Sequence, residues 1–230
     1  MSEQVDILIF GAHADDAEIG MGATIAKHTQ RGLRVGLCEL TYAEMSSNGT
    51  VETRLEEAAE AAKILGVAAR TNLGLPDRGL FVTADYIERI TQEIRKFRPR
   101  IVFAPYWQDR HPDHIACSTL VQEAVFNAKL RKYLPETEAV NVEQLFFYFI
   151  NDVYEADVIV DVTNTYDNKM AALRAYRSQF ITGTGTVATP LNQGYVERVE
   201  ARDRIMGQKR QLTYAEGFVS KLPLVIEHFD

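Results

Sequence analysis

Residues 5–40 read VDILIFGAHADDAEIGMGATIAKHTQRGLRVGLCEL, in which two apolar runs flank a polar loop and a helical pattern. The first run, at 5–10, is short and is followed by glycine, which predicts a buried strand. Residues 17–30 predict a helix, and Gly32 just past its end is a stop signal. The second run, at 35–40, predicts another buried strand. A strand, a helix and a strand in this order are typical of a parallel sheet covered by helices.

The same alternation continues through the first half of the chain, with loops at 41–50 and around 76–79. The pattern predicts helices at 53–65 and 84–97, and strands near 70–73 and at 101–104.

The second half is less regular, and it contains a loop at 181–194. The predicted helices are 115–133, 164–176 with Asn164 as a candidate cap, and 197–206, and the predicted strands are 145–150 and 156–162. No internal repeat or linker divides the chain. We therefore predict a single α/β domain over residues 1–230. Its Rossmann-like sheet is mainly parallel, with helices on both faces and additional strands in the C-terminal half.

Composition excludes some classes of function. The net charge is -7 at pH 7, and 46% of the residues are hydrophobic. Nucleic-acid binding needs clustered positive charge, so we expect no nucleic-acid partner. No signal peptide or membrane-spanning run is visible, so we expect no membrane partner and a cytoplasmic location. Cys38 and Cys117 both lie in predicted buried segments, which favours core thiols over a disulfide.

Two loops that follow predicted strands hold three of the five histidines. The first, at 11–18, reads Gly-Ala-His-Ala-Asp-Asp-Ala-Glu, and the second, at 109–114, reads Asp-Arg-His-Pro-Asp-His. In open α/β sheets, ligands bind beyond the carboxyl ends of the strands. If the strands at 5–10 and 101–104 are neighbours, these loops meet and bring imidazole and carboxylate groups together.

Such groups suit a catalytic metal site with three nitrogen or oxygen ligands and an open position. A nearby carboxylate can then take a proton, and a histidine can stabilise an oxyanion or protonate a leaving amine. Taken singly, Asp15 or Asp16 could instead cap the following helix, and His111 could be a turn residue. Both loops together favour the functional interpretation.

The two loops resemble the motifs of the PIG-L-type, or LmbE-like, zinc-dependent N-acetylglucosaminide deacetylases. That family has His-Pro-Asp-Asp after the first strand and His-Pro-Asp-His later, whereas this chain has His-Ala-Asp-Asp at 13–16 and His-Pro-Asp-His at 111–114. Weaker matches are Tyr-Arg-Ser-Gln at 176–179 and Tyr-Ala-Glu-Gly-Phe at 214–218. Alanine in place of proline at position 14 removes a φ restraint but no ligand.

The resemblance implies a role for each motif residue. His13, Asp16 and His114 would hold one divalent metal, most simply Zn²⁺, although Fe²⁺ or Co²⁺ would fit the same ligands. Asp15 would be the general base. His111 would be protonated and face the oxyanion or the leaving nitrogen, and Asp113 would keep it in that state. The family also implies a homo-oligomer, with a hexamer as one such assembly.

The substrate implied by the resemblance is a small amino-sugar conjugate. The branch that this chain resembles most is the N-acetylglucosaminyl-malate deacetylases of bacillithiol biosynthesis. Arg54 and Arg110 are candidates for binding a carboxylate, because the planar guanidinium can bind both oxygens. Tyr195 is a candidate to close over the site. The alternative substrates are chito-oligosaccharides and inositol-linked N-acetylglucosamine.

Two other classes of function remain. A dinucleotide-binding protein could use Glu39, at the end of the second strand, as its ribose-binding acid. Its first loop would need Gly-x-Gly-x-x-Gly spacing, which is absent here, and two carboxylates there would repel phosphate. A purely structural metal site would have no need for the base Asp15 or the acid His111.

Overall fold

The computed structural model describes residues 4–225. Within them, the strands are β1 (Ile7–Gly11), β2 (Val35–Thr41), β3 (Ala69–Leu75), β4 (Ile101–Pro105), β5 (Gln144–Tyr148), β6 (Val158–Asp161) and β7 (Ala215–Val219). The α-helices are α1 (Asp16–Gln30), α2 (Val51–Leu65), α3 (Ala84–Phe97), α4 (Pro112–Ala128), α5 (Tyr166–Ala175), α6 (Arg177–Phe180) and α7 (Tyr195–Gln208). Two short 3₁₀ turns are Thr163–Thr165 and Pro190–Asn192.

All seven strands join one sheet in the order β3-β2-β1-β4-β5-β7-β6. The pairs from β3 to β5 are parallel, and β7 runs antiparallel to both of its neighbours. The predicted α/β class, with a mainly parallel sheet and further strands late in the chain, is confirmed.

The alternating side chains of β1 show why helices cover both faces of this sheet. Ile7 and Ile9 pack into a core that includes residues of α1, α2 and α5. Leu8 and Phe10 point to the opposite face, into a core with residues of α3 and α4. A strand buried on both faces must be apolar along its whole length, which explains the unbroken run at 7–10.

The chain reverses direction across the sheet between β1 and β4, and this reversal creates the binding crevice. From β1 it moves outward through β2 to β3, and then returns to place β4 on the other side of β1. Loops that leave two such strands diverge to opposite faces and leave a crevice at the carboxyl ends. The two histidine-containing loops follow β1 and β4, so the predicted meeting of these loops is confirmed.

The predicted helix at 115–133 was wrong at both ends, because α4 is Pro112–Ala128. At its start, His111 is the N-cap, and its side chain accepts a hydrogen bond from the Asp113 backbone N–H. Pro112 fits the first helical position, where no N–H partner is needed. At its end, the buried Arg95 side chain donates to the carbonyls of Ala128 and Leu130.

Other local predictions also need correction. Asn164 does not cap the helix that follows, because it lies in a 3₁₀ turn and Thr165 takes the N-cap position. The strand β7 was missed, since its sequence, AEGFV, contains a glutamate and a glycine that strands disfavour. Cys38 and Cys117 are buried free thiols, as predicted. No helix within residues 4–225 has the length and apolar character needed to cross a membrane.

Candidate functional site

A cavity of about 330 Å³ opens where the loops after β1 and β4 meet. Both loops line it, together with parts of the segments 42–50, 76–79 and 181–194. This volume lies at the lower end of the range for small-molecule sites. We call this cavity the active-site pocket.

The first loop makes a tight turn into α1. The backbone N–H of His13 donates to Oδ2 of Asp16 at 2.9 Å, which ties the two predicted metal ligands together. Between them, Asp15 has a φ of 110°, a left-handed value that is strained for a residue other than glycine. Its side chain makes no capping hydrogen bond to α1, so capping does not account for it.

The three predicted metal ligands come together in the pocket. Oδ1 of Asp16 lies 3.1 Å from Nε2 of His114, and Oδ2 of Asp16 lies 3.7 Å from Nδ1 of His13. Two ligands of a tetrahedral zinc, each bonded at about 2.0–2.2 Å, lie about 3.3–3.5 Å apart. The two separations involve different oxygens of Asp16, and they place one histidine nitrogen near each oxygen of this carboxylate.

The far side of each histidine ring faces a carboxylate. Nδ1 of His114 lies 3.0 Å from Oδ1 of Asp109. Nε2 of His13 lies 3.2 Å from Oδ1 of Asp77 and 3.5 Å from Oδ2 of Asp113. Metal-binding histidines characteristically donate their other N–H to such a partner, which fixes the ring orientation. Nε2 of His13 makes such a hydrogen bond to Asp77, whereas Nδ1 of His114 lies close to Asp109 without meeting hydrogen-bond geometry. The acidic groups beside both rings suit a metal site.

Neighbouring groups could also hold a metal. His13, His111 and His114 each offer a nitrogen, and the three nitrogens lie within 4.8 Å of one another. His13, Asp77 and Asp113 form a second group that meets the same limit. Both sets share His13, but Asp77 and Asp113 lie against Nε2 of its ring, whereas Asp16 lies against Nδ1.

The carboxylates also change the acidity of the two histidines. Burial lowers the pKa of His114, but Asp16 and Asp109 outweigh it and raise the pKa to about 9. The pKa of His13 is likewise well above its usual value, because Asp113, Asp16 and Asp77 outweigh burial. Such rings hold protons that a metal would displace.

Asp15, the predicted base, is buried beside the metal ligands. Burial raises its pKa to about 6, although the positive charge of Arg54 opposes this rise. Nη2 of Arg54 lies 3.2 Å from Oδ2 of Asp15 and also donates to the carbonyl of Ala14. A carboxyl group with a pKa near neutrality is suited to accept and return a proton.

This contact alters the interpretation of Arg54. The residue lines the pocket, but it is buried, and its Nη1 donates to the Ser46 hydroxyl at 3.0 Å. A substrate anion would therefore have to compete with Asp15 for the Arg54 guanidinium. The arginine neutralises Asp15 and holds it against the loop at 42–50.

The predicted pairing of His111 with the Asp113 carboxylate is not what the structure shows. Nδ1 of His111 instead accepts the backbone N–H of Asp113. The Asp113 carboxylate accepts from the backbone N–H and from Nη1 of Arg78, each at 2.8 Å, and faces His13. Burial and the nearby His114 and His13 lower the pKa of His111. The described geometry therefore favours a neutral His111 with its proton on Nε2.

The remaining predicted substrate residues line the same pocket. Arg110 is exposed, and no hydrogen bond or ion pair joins it to another residue within 4–225. Tyr195 is buried in the pocket wall and stacks on Phe180, with ring centroids 6.0 Å apart. Its hydroxyl donates to Oδ1 of Asn151 at 2.9 Å. Arg110 is thus the candidate that stays available to a ligand.

Sequence reasoning missed several residues of this site. Asp77 contacts His13 across 64 positions of sequence, and only its place in a Pro-Asp-Arg-Gly loop marked it. Asp109 precedes the second motif and could have been identified as a partner for His114. Asn151 follows β5 and has no sequence signal that distinguishes it from an ordinary loop residue.

The two weaker motifs support the site from behind. The Tyr176 hydroxyl donates to Oε1 of Glu18 in α1, and Gln179 lines the pocket and donates to the carbonyl of Asn48. Glu216, in β7, accepts the backbone N–H groups of Ala23 and Thr24 in α1. The contacts of Tyr176 and Glu216 hold α1, which begins at the metal loop, and the contact of Gln179 holds the loop at 42–50.

Known proteins share both the sequence and the fold. The chain is 32% identical to diacetylchitobiose deacetylase of Thermococcus kodakarensis over 76% of this chain and 70% of that protein. It is 30% identical to the probable N-acetyl-alpha-D-glucosaminyl L-malate deacetylase 2 of Bacillus subtilis, over 75% of this chain and 82% of that protein. It is 24% identical to 4-oxalmesaconate hydratase of Pseudomonas putida, over 98% and 92%.

A solved structure resembles the whole chain. The conserved protein TT1542 of Thermus thermophilus is 42% identical and superposes with a TM-score of 0.90, covering 99% of both chains. Residues 8–125, which hold both metal motifs, match the family described as PIG-L, GlcNAc-PI de-N-acetylase. Because that match covers just over half of the 230 residues, the chain belongs to the PIG-L family of deacetylases.

Proposed function

We propose that this protein removes the N-acetyl group from an N-acetylglucosamine conjugate in a metal-dependent hydrolysis. The observation that carries the proposal is the arrangement around Asp16. Two histidines face its carboxylate, and a buried carboxyl group with a pKa of about 6 lies at the adjacent position, Asp15. A ligand set with a base beside it is what hydrolysis requires and a structural metal site does not.

The residues divide the reaction between them. His13, Asp16 and His114 would hold the metal, which when bound supplies Lewis-acid activation of water and of the acetyl carbonyl. Asp15 accepts a proton from the attacking water and returns it to the sugar nitrogen as the C–N bond breaks. His111, with its proton on Nε2, donates a hydrogen bond to the acetyl oxygen as negative charge develops there. Acetate and the free amine leave.

The metal assignment is tested by metal removal and by substitution. His13→Ala and His114→Ala are expected to abolish stoichiometric Zn²⁺ retention and activity, and His28→Ala, outside the site, should keep both. Co²⁺ or Fe²⁺ is expected to restore activity to chelated protein, because both accept nitrogen and oxygen ligands. Full metal content in both site variants contradicts the assignment.

For the substrate, we propose an anionic conjugate, and specifically N-acetylglucosaminyl-malate, the substrate class of bacillithiol biosynthesis. The support is Arg110, a guanidinium without a protein partner within residues 4–225 that lines the pocket of an acidic chain. The similarity to the probable N-acetyl-alpha-D-glucosaminyl L-malate deacetylase 2 of Bacillus subtilis adds to this support. The chitobiose enzyme of Thermococcus kodakarensis supports a chito-oligosaccharide as the alternative, and an inositol-linked sugar is a third candidate.

An amine-release assay across these conjugates decides between them. The malate conjugate is expected to react much faster than diacetylchitobiose, the inositol conjugate and free N-acetylglucosamine. Arg110→Ala should lower kcat/KM for the malate conjugate by about 10- to 100-fold and spare the neutral sugar, because a charge-assisted hydrogen bond is lost. Arg131→Ala, an exposed arginine outside the pocket, is the matched control. Faster reaction of a neutral conjugate moves the proposal to that substrate.

We also propose a cytoplasmic homo-oligomer. The resemblance to the family supports assembly, with a hexamer as one form, and the two buried free thiols are in keeping with a reducing compartment. Light scattering on purified protein tests the assembly. A monomer at all concentrations would refute it.

A further inference from the structure

Asp109 is a point at which several donors converge behind the metal ligand His114. Its Oδ1 lies 3.0 Å from Nδ1 of His114 and accepts the backbone N–H of His111 at 2.7 Å. The same oxygen accepts Nδ2 of Asn151 at 2.7 Å, and the Asn151 backbone N–H lies 3.4 Å from Oδ2. Asn151 and the His111 backbone thus hold the carboxylate, which influences the His114 ring through a short ion-pair contact outside hydrogen-bond geometry.

The other end of Asn151 reaches the pocket wall. Its Oδ1 accepts the hydroxyl of Tyr195 at 2.9 Å, and the same hydroxyl lies farther, at 3.3 Å, from the carbonyl of Ile150. Tyr195 is the first residue of α7 and directly follows the segment 181–194, so it is placed by a different part of the chain from the metal loops. A continuous series of contacts thus runs from Tyr195 through Asn151 and Asp109 to His114.

The chemistry of this series requires an amide at position 151. An ionised carboxylate only accepts hydrogen bonds, so the group facing Asp109 must be a donor. The group facing Tyr195 must accept the hydroxyl proton. Of the side chains with this size and shape, Asn has both functions, whereas Asp lacks the donor and Leu lacks both.

We propose that Asn151 is a positioning residue that couples the Tyr195 wall of the pocket to the orientation of His114. The inference rests on the proposed function, because it takes His114 to be a metal ligand. A molecule that binds in the pocket and shifts Tyr195 then changes the affinity of the protein for the metal. By thermodynamic reciprocity, bound metal changes the affinity of the protein for that molecule by the same factor.

Titration with Co²⁺ alone tests the coupling without an activity assay. Asn151→Leu should weaken Co²⁺ binding by about tenfold, the lower end of the effect of losing a direct partner of a ligand, because Asn151 acts through Asp109. Tyr195→Phe removes one hydroxyl and should weaken it by about threefold to tenfold. It should also alter the visible Co²⁺ spectrum in the same direction as Asn151→Leu. Tyr214→Phe, a hydroxyl deletion outside the pocket, should change neither quantity.

The variant that combines Asn151→Leu with Tyr195→Phe gives the sharpest test. If Tyr195 acts through the Asn151 amide, Tyr195→Phe should have no further effect on Co²⁺ affinity once Asn151 has been replaced by leucine. Thermal unfolding of the metal-free variants identifies any that fail to fold, and Tyr195→Phe, the smaller change, still tests the proposal then. Unchanged Co²⁺ affinity and spectrum in Tyr195→Phe, or equal effects of that change in both backgrounds, overturn the coupling alone. A parent protein that binds no Co²⁺ overturns the metal site and the coupling with it.

Discussion

Asp15 has a strained backbone and a buried side chain. Burial raises the pKa of its carboxyl group to about 6. Its φ of 110° is a conformation that asparagine and aspartate tolerate better than most residues. Asp15→Asn should therefore fold and bind metal normally, but kcat should fall by about 10²- to 10⁴-fold, because an amide cannot accept the proton. Asp85→Asn, on the surface helix α3, is the matched control. Near-normal kcat in Asp15→Asn would show that another group takes the proton.

The same residue alters the expected behaviour of Arg54. From sequence alone, Arg54→Ala should reduce only the reaction of an anionic substrate. In the structure the guanidinium neutralises Asp15, so its loss should slow anionic and neutral substrates to a similar degree. It should also move the acid limb of the kcat profile to higher pH, because the coulombic effect of Arg54 lowers the Asp15 pKa. A loss confined to anionic substrates would restore the original interpretation.

At this scale, the sequence reveals residues that stand in short motifs and misses those that join them from afar. His13, Asp15, Asp16, His111 and His114 were identified because the two loops carry them in a recognisable spacing. Their carboxylate partners come from other loops, and no local pattern records such contacts. The side-chain partners of Asp113 likewise depend on the left-handed turn at Arg78, where φ is 59°.

Among the elements, α1 is a helix broken near its middle, where Met21 has a non-helical φ of -150°. In a regular helix the Ala23 N–H would pair with the Ile19 carbonyl. Here the Ala23 N–H donates to Glu216, and the Ile19 carbonyl accepts from Arg202. The break lets Gly20 lie against Tyr148, where a β-carbon would come within 2.1 Å of that ring.

The side chains that bond the unpaired backbone groups at the break belong to a buried network with no net charge. Lys169 lies between Asp203, at 2.6 Å, and Glu216, at 2.7 Å, and Arg202 pairs with Asp203 at 2.9 Å. Lys169→Met should lower the free energy of unfolding by about 3–5 kcal/mol, because it leaves buried carboxylates without their cation. Urea unfolding measures this loss, and Lys132→Met, at an exposed lysine, should show almost none. A loss below about 1 kcal/mol would mean that the network relaxes or admits water.

The break also shows what limits prediction of elements. Periodicity indicated the extent of α3 well, because its apolar face is regular, and the end of α1 was marked by Gly32. It could not place the start of α4, where a histidine stands at the N-cap in place of the usual capping residues. It also could not identify β7, whose buried glutamate accepts hydrogen bonds from the backbone of α1. Each error arises at a side chain whose contacts with residues distant in sequence outweigh its usual secondary-structure preference.

On the scale of the whole molecule, the topology concentrates charge at one edge of the sheet. The loops after β1 and β4 and the segment after β3 all end there, and they bring carboxylates and histidines into a buried space. Without a metal, protons balance this charge, as the raised pKa values of His13 and His114 indicate. Metal binding, protonation and stability are therefore linked in this fold.

This linkage predicts how the stability of the metal-free protein depends on pH. The pKa of His114 is about 9 in the folded protein and near 6.5 in an unfolded chain. Between these values the folded state binds more protons, so its stability is full below pH about 6.5 and falls as pH rises through about 9. His13 acts in the same direction.

Urea unfolding in the presence of a chelator should show this decline, and His114→Ala should make it shallower. His28→Ala, a histidine outside the site, should leave the slope unchanged. Stoichiometric Zn²⁺ should stabilise the protein more at pH about 8 than at pH about 6.5, because fewer protons then compete for the ligand nitrogens. A metal-free protein whose stability rises over this interval would show that the two histidines are neutral, and that the carboxylates around them are balanced in another way.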